Sequence, residues 1–93
     1  MAPRHNEWAF EIANHHDLKM GQRLVLLALA HHRNKSTGKC YPSLETLAKL
    51  SNLDRRTVQR HLKSLRDNGV ITIEERFHSN RQLSNLYGFP LLN

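Results

Sequence analysis

Residues 43–62, SLETLAKLSNLDRRTVQRHL, decide the fold of this 93-residue chain. Ser43 is a good N-cap, because its hydroxyl can accept from a backbone N–H that the first helical turn leaves unpaired. The spacing predicts a short helix over residues 44–50, with Leu44, Leu47 and Ala48 on its inner face. Ser51-Asn52-Leu53 interrupts it. Asp54 is a second N-cap, followed by a helix over residues 55–68 with Val58, Leu62 and Leu65 spaced i, i+4, i+7. Two helices therefore meet across a tight turn. The crossing needs a small residue, and Ala48 is small. The reversal needs a residue that tolerates positive φ, and Asn52 is the best choice after glycine. Leu53 plugs the crossing from below, and Val58 locks the second helix onto the first.

The second helix sorts its residues by face. Once Val58, Leu62 and Leu65 turn inward, Arg55, Arg56, Gln59, Arg60 and Lys63 are left outward, with Thr57 near the N-terminal end. Arginine can grip guanine O6 and N7 with two hydrogen bonds, and glutamine can do the same to adenine N6 and N7. Arginine and lysine also neutralise phosphates, and a helix N-terminus favours an anion. Arg55, Arg56, Gln59 and Arg60 are thus candidates for base edges, and Lys63 for phosphate. Arg66 is set apart, since Asp67, Glu74 and Glu75 offer it acidic partners.

Working outward, residues 21–32 read as a nearly all-apolar helix central to the core, with Leu24, Val25, Leu26, Leu27 and Leu29. A polar loop follows, then Cys40-Tyr41 as a short strand, ended by Pro42. Residues 6–14 fit either a strand, by alternation of Trp8, Phe10 and Ile12, or a helix capped by Asn6, by i,i+4 pairing of Trp8 with Ile12 and Ala9 with Ala13. The helix is preferred. On the other side, Gly69 sits where a left-handed helix terminator is wanted. The helical period then stops. β-Branched residues 70–73 read as a strand, residues 77–82 as a polar turn-like stretch, and Leu83, Leu86, Tyr87 and Phe89 as a return strand. Arg81, and Arg76 at the hairpin's base, are placed for phosphates, and Asn80 lies in the same polar tip.

Composition narrows the function. Fourteen Lys and Arg against 8 Asp and Glu give a net charge of +6, which attracts polyanions. The one cysteine, Cys40, allows no intrachain disulfide and suits a reducing, cytoplasmic setting. The longest strongly apolar run, residues 24–30, is far short of the ~20 residues that span a bilayer. No membrane partner is expected, and no secretory signal opens the chain. The seven histidines include the adjacent pairs His15-His16 and His31-His32, whose side chains diverge on a helix, so a metal site is not expected. Neither a glycine-rich phosphate loop nor a nucleophile elbow is present, and Glu74-Glu75 point to opposite faces of a strand. No enzyme activity and no cofactor are expected. A metal-dependent nuclease built from the histidines is the weaker rival.

The run Tyr41-Pro-Ser-Leu-Glu-Thr-Leu-Ala, then Arg56-Thr-Val-Gln-Arg-His-Leu-Lys-Ser-Leu, then Asn68-Gly-Val-Ile, resembles the winged helix-turn-helix domains of phage and plasmid replication proteins and of small bacterial transcription regulators. Leu24-Val-Leu-Leu-Ala-Leu-Ala-His-His is similar to the first helix of that family. The resemblance implies a mainly α fold with a small β-hairpin. It also implies a recognition helix (54–68) in the major groove of double-stranded DNA and a wing (70–89) on phosphates or a neighbouring minor groove. The expected division is an N-terminal arm with an extra helix over 1–17 and the winged domain over 18–93, its helix-turn-helix spanning 43–68. The expected DNA-binding set is Ser43, Arg55, Arg56, Thr57, Gln59, Arg60, Lys63, Arg76, Asn80 and Arg81. A replication-initiation or transcription-regulation role in a phage, plasmid or other mobile element is implied by resemblance alone. Further domains or replication and transcription proteins are the implied partners. The sequence departs from the pattern at Asn52, commonly glycine, and at His61, often apolar. Trp8, Phe10 and Ile12 could cover the core or join a homodimer, and Ala2-Pro3-Arg4-His5 could reach a minor groove. A winged domain that binds protein rather than DNA is the alternative.

Overall fold

The apolar period changes once along the chain, from helical to alternating, and the architecture follows that change. The computed structural model describes residues 6–92. It contains helices α1 (Glu7–His15), α2 (Met20–His31), α3 (Leu44–Ser51) and α4 (Arg55–Asp67), then strands β1 (Thr72–His78) and β2 (Arg81–Gly88) in one antiparallel hairpin. This is the mainly α fold with a terminal hairpin that the sequence predicts. The arm residues 2–5 lie outside the described residues.

Helix α2 is the hub, packed against α1, α3 and α4. Its Val25, Leu26 and Leu29 are fully buried, with Leu47 of α3, Val58 and Leu65 of α4, and Val70 and Ile71 beyond it. Each such side chain contributes roughly 1.5–3 kcal/mol on leaving water. A hydrogen bond from Gln22 Nε2 to Ser64 Oγ, 2.6 Å, ties α2 to α4. Gly21 lies against the His61 ring, and a Cβ there would collide with it. His61 is half-buried, and the C-terminal half of α4 packs fully, with Leu62 and Leu65 both buried.

Three helices end in the same way. After α1, α3 and α4, the chain takes positive φ at Asp17 (50°), Asn52 (56°) and Gly69 (75°). The next residue's N–H then reaches back across the turn: Leu18 to Ala13 O at 2.9 Å, Leu53 to Ala48 O at 3.1 Å, Val70 to Leu65 O at 2.9 Å. This is the Schellman closure, which satisfies carbonyls the helix end would orphan. In each case the residue after the turn is apolar and at least half-buried.

Helix α1 resolves the ambiguity at residues 6–14. Ala9 and Ala13 are fully buried, while Trp8 and Ile12 are half-buried against the core. The Trp8 ring meets Phe89 edge-on at 4.8 Å. Arg23 clasps the end of α1, donating to Asn14 Oδ1 at 2.7 Å and to the Ala13 and Leu18 carbonyls at 3.4 Å. Asn6 occupies the N-cap position, but its side chain makes no capping bond.

Two expectations are corrected in the β region. Cys40-Tyr41 forms no strand. A single backbone bond, from Tyr87 N–H to Cys40 O at 2.8 Å, joins it to the hairpin, and Pro42 has no N–H with which to extend a ladder. The hairpin itself is longer than residues 70–73 and 83–89 suggest. Val70 and Ile71 close α4 rather than pair. The turn shrinks to Ser79-Asn80, both at positive φ (51° and 64°), as a two-residue type I′ connection requires. Phe77, His78, Arg81 and Gln82 are then strand residues, paired Phe77 with Gln82 and His78 with Arg81. The register slips once. Glu74 pairs with Leu86 but Arg76 with Leu83, so Ser84-Asn85 bulge opposite Glu75.

Candidate nucleic-acid interface

Helix α4 is amphipathic with little ambiguity, because its three buried residues recur at helical spacing and nearly everything else is charged or polar. Two outward rows result, each at four-residue spacing. Arg56 and Arg60 form the outer row and are exposed. Arg55, Gln59 and Lys63 form the row that faces the hairpin. The helix start is set by Asp54, whose carboxylate accepts from the Thr57 hydroxyl at 2.5 Å and from Thr57 N–H at 3.3 Å. Bonds from the Thr57 hydroxyl and N–H hold that carboxyl below its ordinary pKa. Arg60 reaches Thr57 Oγ1 at 3.5 Å, so Thr57 links the cap to the outer row.

Helix α3 meets this row at its own N-terminus. Ser43 accepts from Thr46 N–H at 3.1 Å and donates to Thr46 Oγ1 at 3.0 Å, so its hydroxyl is engaged in capping. Arg55 of α4 stands 4.0 Å from Glu45 of α3, with both side chains largely in solvent. Such a pair contributes little and leaves the guanidinium available.

Between α3, α4 and β2 lies an open cleft of about 400 Å³, lined by Ser43, Glu45, Arg55, Gln59, Gln82 and Asn85 among others. A second cleft adjoins it, where Gln59, Lys63 and Arg66 face Ile73, Glu75 and Asn85. The fold thus brings Ser43, Arg55, Gln59 and Lys63 together under the hairpin, and sets Arg56 and Arg60 on the adjacent outer row. Arg66 pairs with Asp67 at 3.4 Å.

The hairpin residues divide. Asn80 is in the turn, and Arg81 is exposed beside it. Arg76 is in mid-strand and half-buried. Its Nε donates to Ser84 O at 2.8 Å, and its guanidinium lies 4.9 Å from the centre of the Tyr41 ring. The bulge carbonyl and the aromatic face therefore hold Arg76. Sequence reading missed Tyr41, Ser84 and Asn85. Nothing local signals them, because their positions depend on the bulge and on a pairing more than 30 residues long in sequence between Tyr41 and Arg76.

Cys40 is buried, donates from Sγ to Leu29 O at 3.1 Å, and has its pKa pushed up to about 12 by burial. It stays a protonated thiol and packs as a small apolar group. Among the described residues, no group of three or more His, Cys, Asp or Glu side chains is arranged to hold a metal ion. Among the same residues, no helix is long and apolar enough to cross a membrane.

Comparison with known families matches residues 16–71 to the model of a helix-turn-helix domain. That span runs from the end of α1 to the end of the α4 closure. No curated protein and no solved structure gave a significant match.

Proposed function

Since the chain belongs to this helix-turn-helix domain family, and the family supports a DNA-binding role, we propose that it is a sequence-specific reader of double-stranded DNA. Helix α4 enters the major groove. Arg55, Arg56, Gln59 and Arg60 address base edges, and Lys63 addresses phosphate. Ser43 and Thr57, at the helix starts, and Arg76, Asn80 and Arg81, on the hairpin, anchor the backbone. Arg76 does so from its seat on Tyr41, through donors its bond to Ser84 leaves unused. The hairpin acts as the wing. We further propose that the domain serves replication initiation or transcription regulation in a phage, plasmid or other mobile element, on the resemblance given above.

One observation carries the reading. Helix α4 buries Val58, Leu62 and Leu65 and leaves Arg55, Arg56, Gln59, Arg60 and Lys63 exposed along one side. A solvated helix needs no such bias toward cations, and the net charge of +6 draws the same partner.

The test is a selection of bound duplexes from a random pool at near-physiological salt. Enrichment of one motif is the expected result. Arg60→Ala and Gln59→Ala should then each weaken binding to that motif by ~1–3 kcal/mol and change random duplex binding much less. Equal losses on both duplexes would reduce the two residues to phosphate contacts. Absence of binding would overturn the proposal and favour a protein partner.

A further inference from the structure

Phe77 is the most exposed aromatic side chain of the described residues, at 61%. Its position is not incidental. It stands two residues from the hairpin turn, in the stretch Arg76-Phe77-His78-Ser79-Asn80-Arg81-Gln82, which contains two arginines and no carboxylate. The other aromatics are accounted for within the fold or against it. Tyr87 is buried, Trp8 packs on Phe89, and Tyr41 lies under Arg76. Phe10, at 49%, is on helix α1 and not on the hairpin.

The direction of the ring follows from the register. Alternate residues of a strand share a face, so Phe77 lies on the face of Ile73 and Glu75. Those two residues line the cleft with Gln59 and Lys63 of α4. Gln82, paired directly with Phe77, lines the cleft with Arg55 and Gln59. The bulge falls on β2, so β1 keeps its alternation through Phe77. Phe77 is therefore on the side of the wing that turns toward the cationic row of α4, farther out than the cleft.

We propose that Phe77 is an apolar wedge that enters a base step in the minor groove beside the site read by α4, kinking the duplex. Resting on the DNA-binding reading above, it names how the wing engages DNA. Minor-groove proteins pair such a wedge with cationic and amide side chains, and the wedge's unstacking opens a bend that brings more backbone onto the protein. Gln82, paired directly with Phe77, shares its face, while Arg81 and His78 form the next pair on the opposite face at the wing's tip, where Arg81 adds positive charge beside the backbone. Gln82 and Asn80 supply amides for the acceptor edges of an A·T step. Sequence preference would then extend to bases that no side chain hydrogen-bonds, through the ease of kinking a pyrimidine–purine step.

The experiment uses the full chain with the duplex enriched in the selection, or a mixed-sequence duplex if none is enriched. Dyes at the two ends report bending, and 2-aminopurine placed along the wing side reports unstacking. Wild-type protein should bend the duplex by roughly 20–90° and brighten one 2-aminopurine position. Phe77→Ala should abolish both signals and weaken binding about tenfold, with an unchanged melting temperature because the ring contributes nothing to the core. Phe77→Leu, still an apolar wedge, should keep most of the bend. Tight binding to straight, stacked DNA, or full bending by Phe77→Ala, would overturn the wedge alone. A loss of self-association by Phe77→Ala without DNA would assign the ring to a protein contact and also overturn it. No duplex binding by wild type would overturn the DNA-binding reading, a distinct failure.

Discussion

The α3–α4 corner and the wing are held by different means. In the corner, every end is closed locally: Ser43 and Asp54 cap the starts, and Asn52 and Gly69 close the ends. Leu47, Val58 and Leu65 then bury its inner face completely. The outer half of the wing has almost no core. Phe77, His78, Arg81, Gln82 and Leu83 are exposed, and beyond the Ile73–Tyr87 pair the hairpin relies on its ladder and on Arg76. The contrast teaches that the reading helix is presented by the folded core itself, while the wing's angle depends on a few contacts. Changes to the caps and the buried face of the corner should therefore be read in stability, and changes in the wing, like those on the outward face of α4, in DNA affinity.

The largest expected effect lies in the corner. Leu65→Ala removes a fully buried side chain from the junction of α4 with its closure and should cost about 2–5 kcal/mol. A denaturation midpoint that stays in place would show that the buried face of the corner does not hold the fold. Ser43→Ala removes one cap and should cost about 1 kcal/mol, in the same denaturant titration. Tyr41→Ala takes away the ring beneath Arg76 and should cost about 0.5 kcal/mol, while weakening DNA binding more than its small stability loss suggests. A stability loss as large as that of Leu65→Ala would show the wing to be part of the core after all.

The smallest effect is a pH dependence. The Thr57 bonds lower the Asp54 pKa in the folded state, so folding favours its charged form. This contribution is fully present above the ordinary carboxylate pKa and is lost as pH falls through the lower folded value. Asp54→Asn should therefore flatten the acid limb of the stability curve slightly, by comparison of thermal midpoints between neutral and acidic pH. An acid limb of unchanged steepness would place the linkage elsewhere.

Most of the corner was legible because its determinants are close in sequence. Both caps, the positive φ at Asn52 and the buried positions 58, 62 and 65 are matters of neighbours within a few residues. The candidate cations on α4 follow from the same period. The wing was legible only in outline. Its β-branched start at 70–71 was spent on closing α4, and its turn proved shorter than the polar stretch that surrounds it. The strand expected at 40–41 is followed by Pro42, which has no N–H to donate to a ladder.

From local rules alone come α3 and α4, with their caps and inward faces, and the apolar α2, because capping, handedness and the 3.6-residue period act within a turn or two of chain; α1 stayed open between helix and strand. The sequence by itself also determined that the outward face of α4 is cationic. Only tertiary packing fixes where the bulge at Ser84-Asn85 falls, that Arg76 lies on Tyr41, and that Phe77 pairs with Gln82 across the hairpin. Those outcomes depend on cross-strand register and on packing between residues far apart in the chain, and one residue of slip would send each side chain to the opposite face.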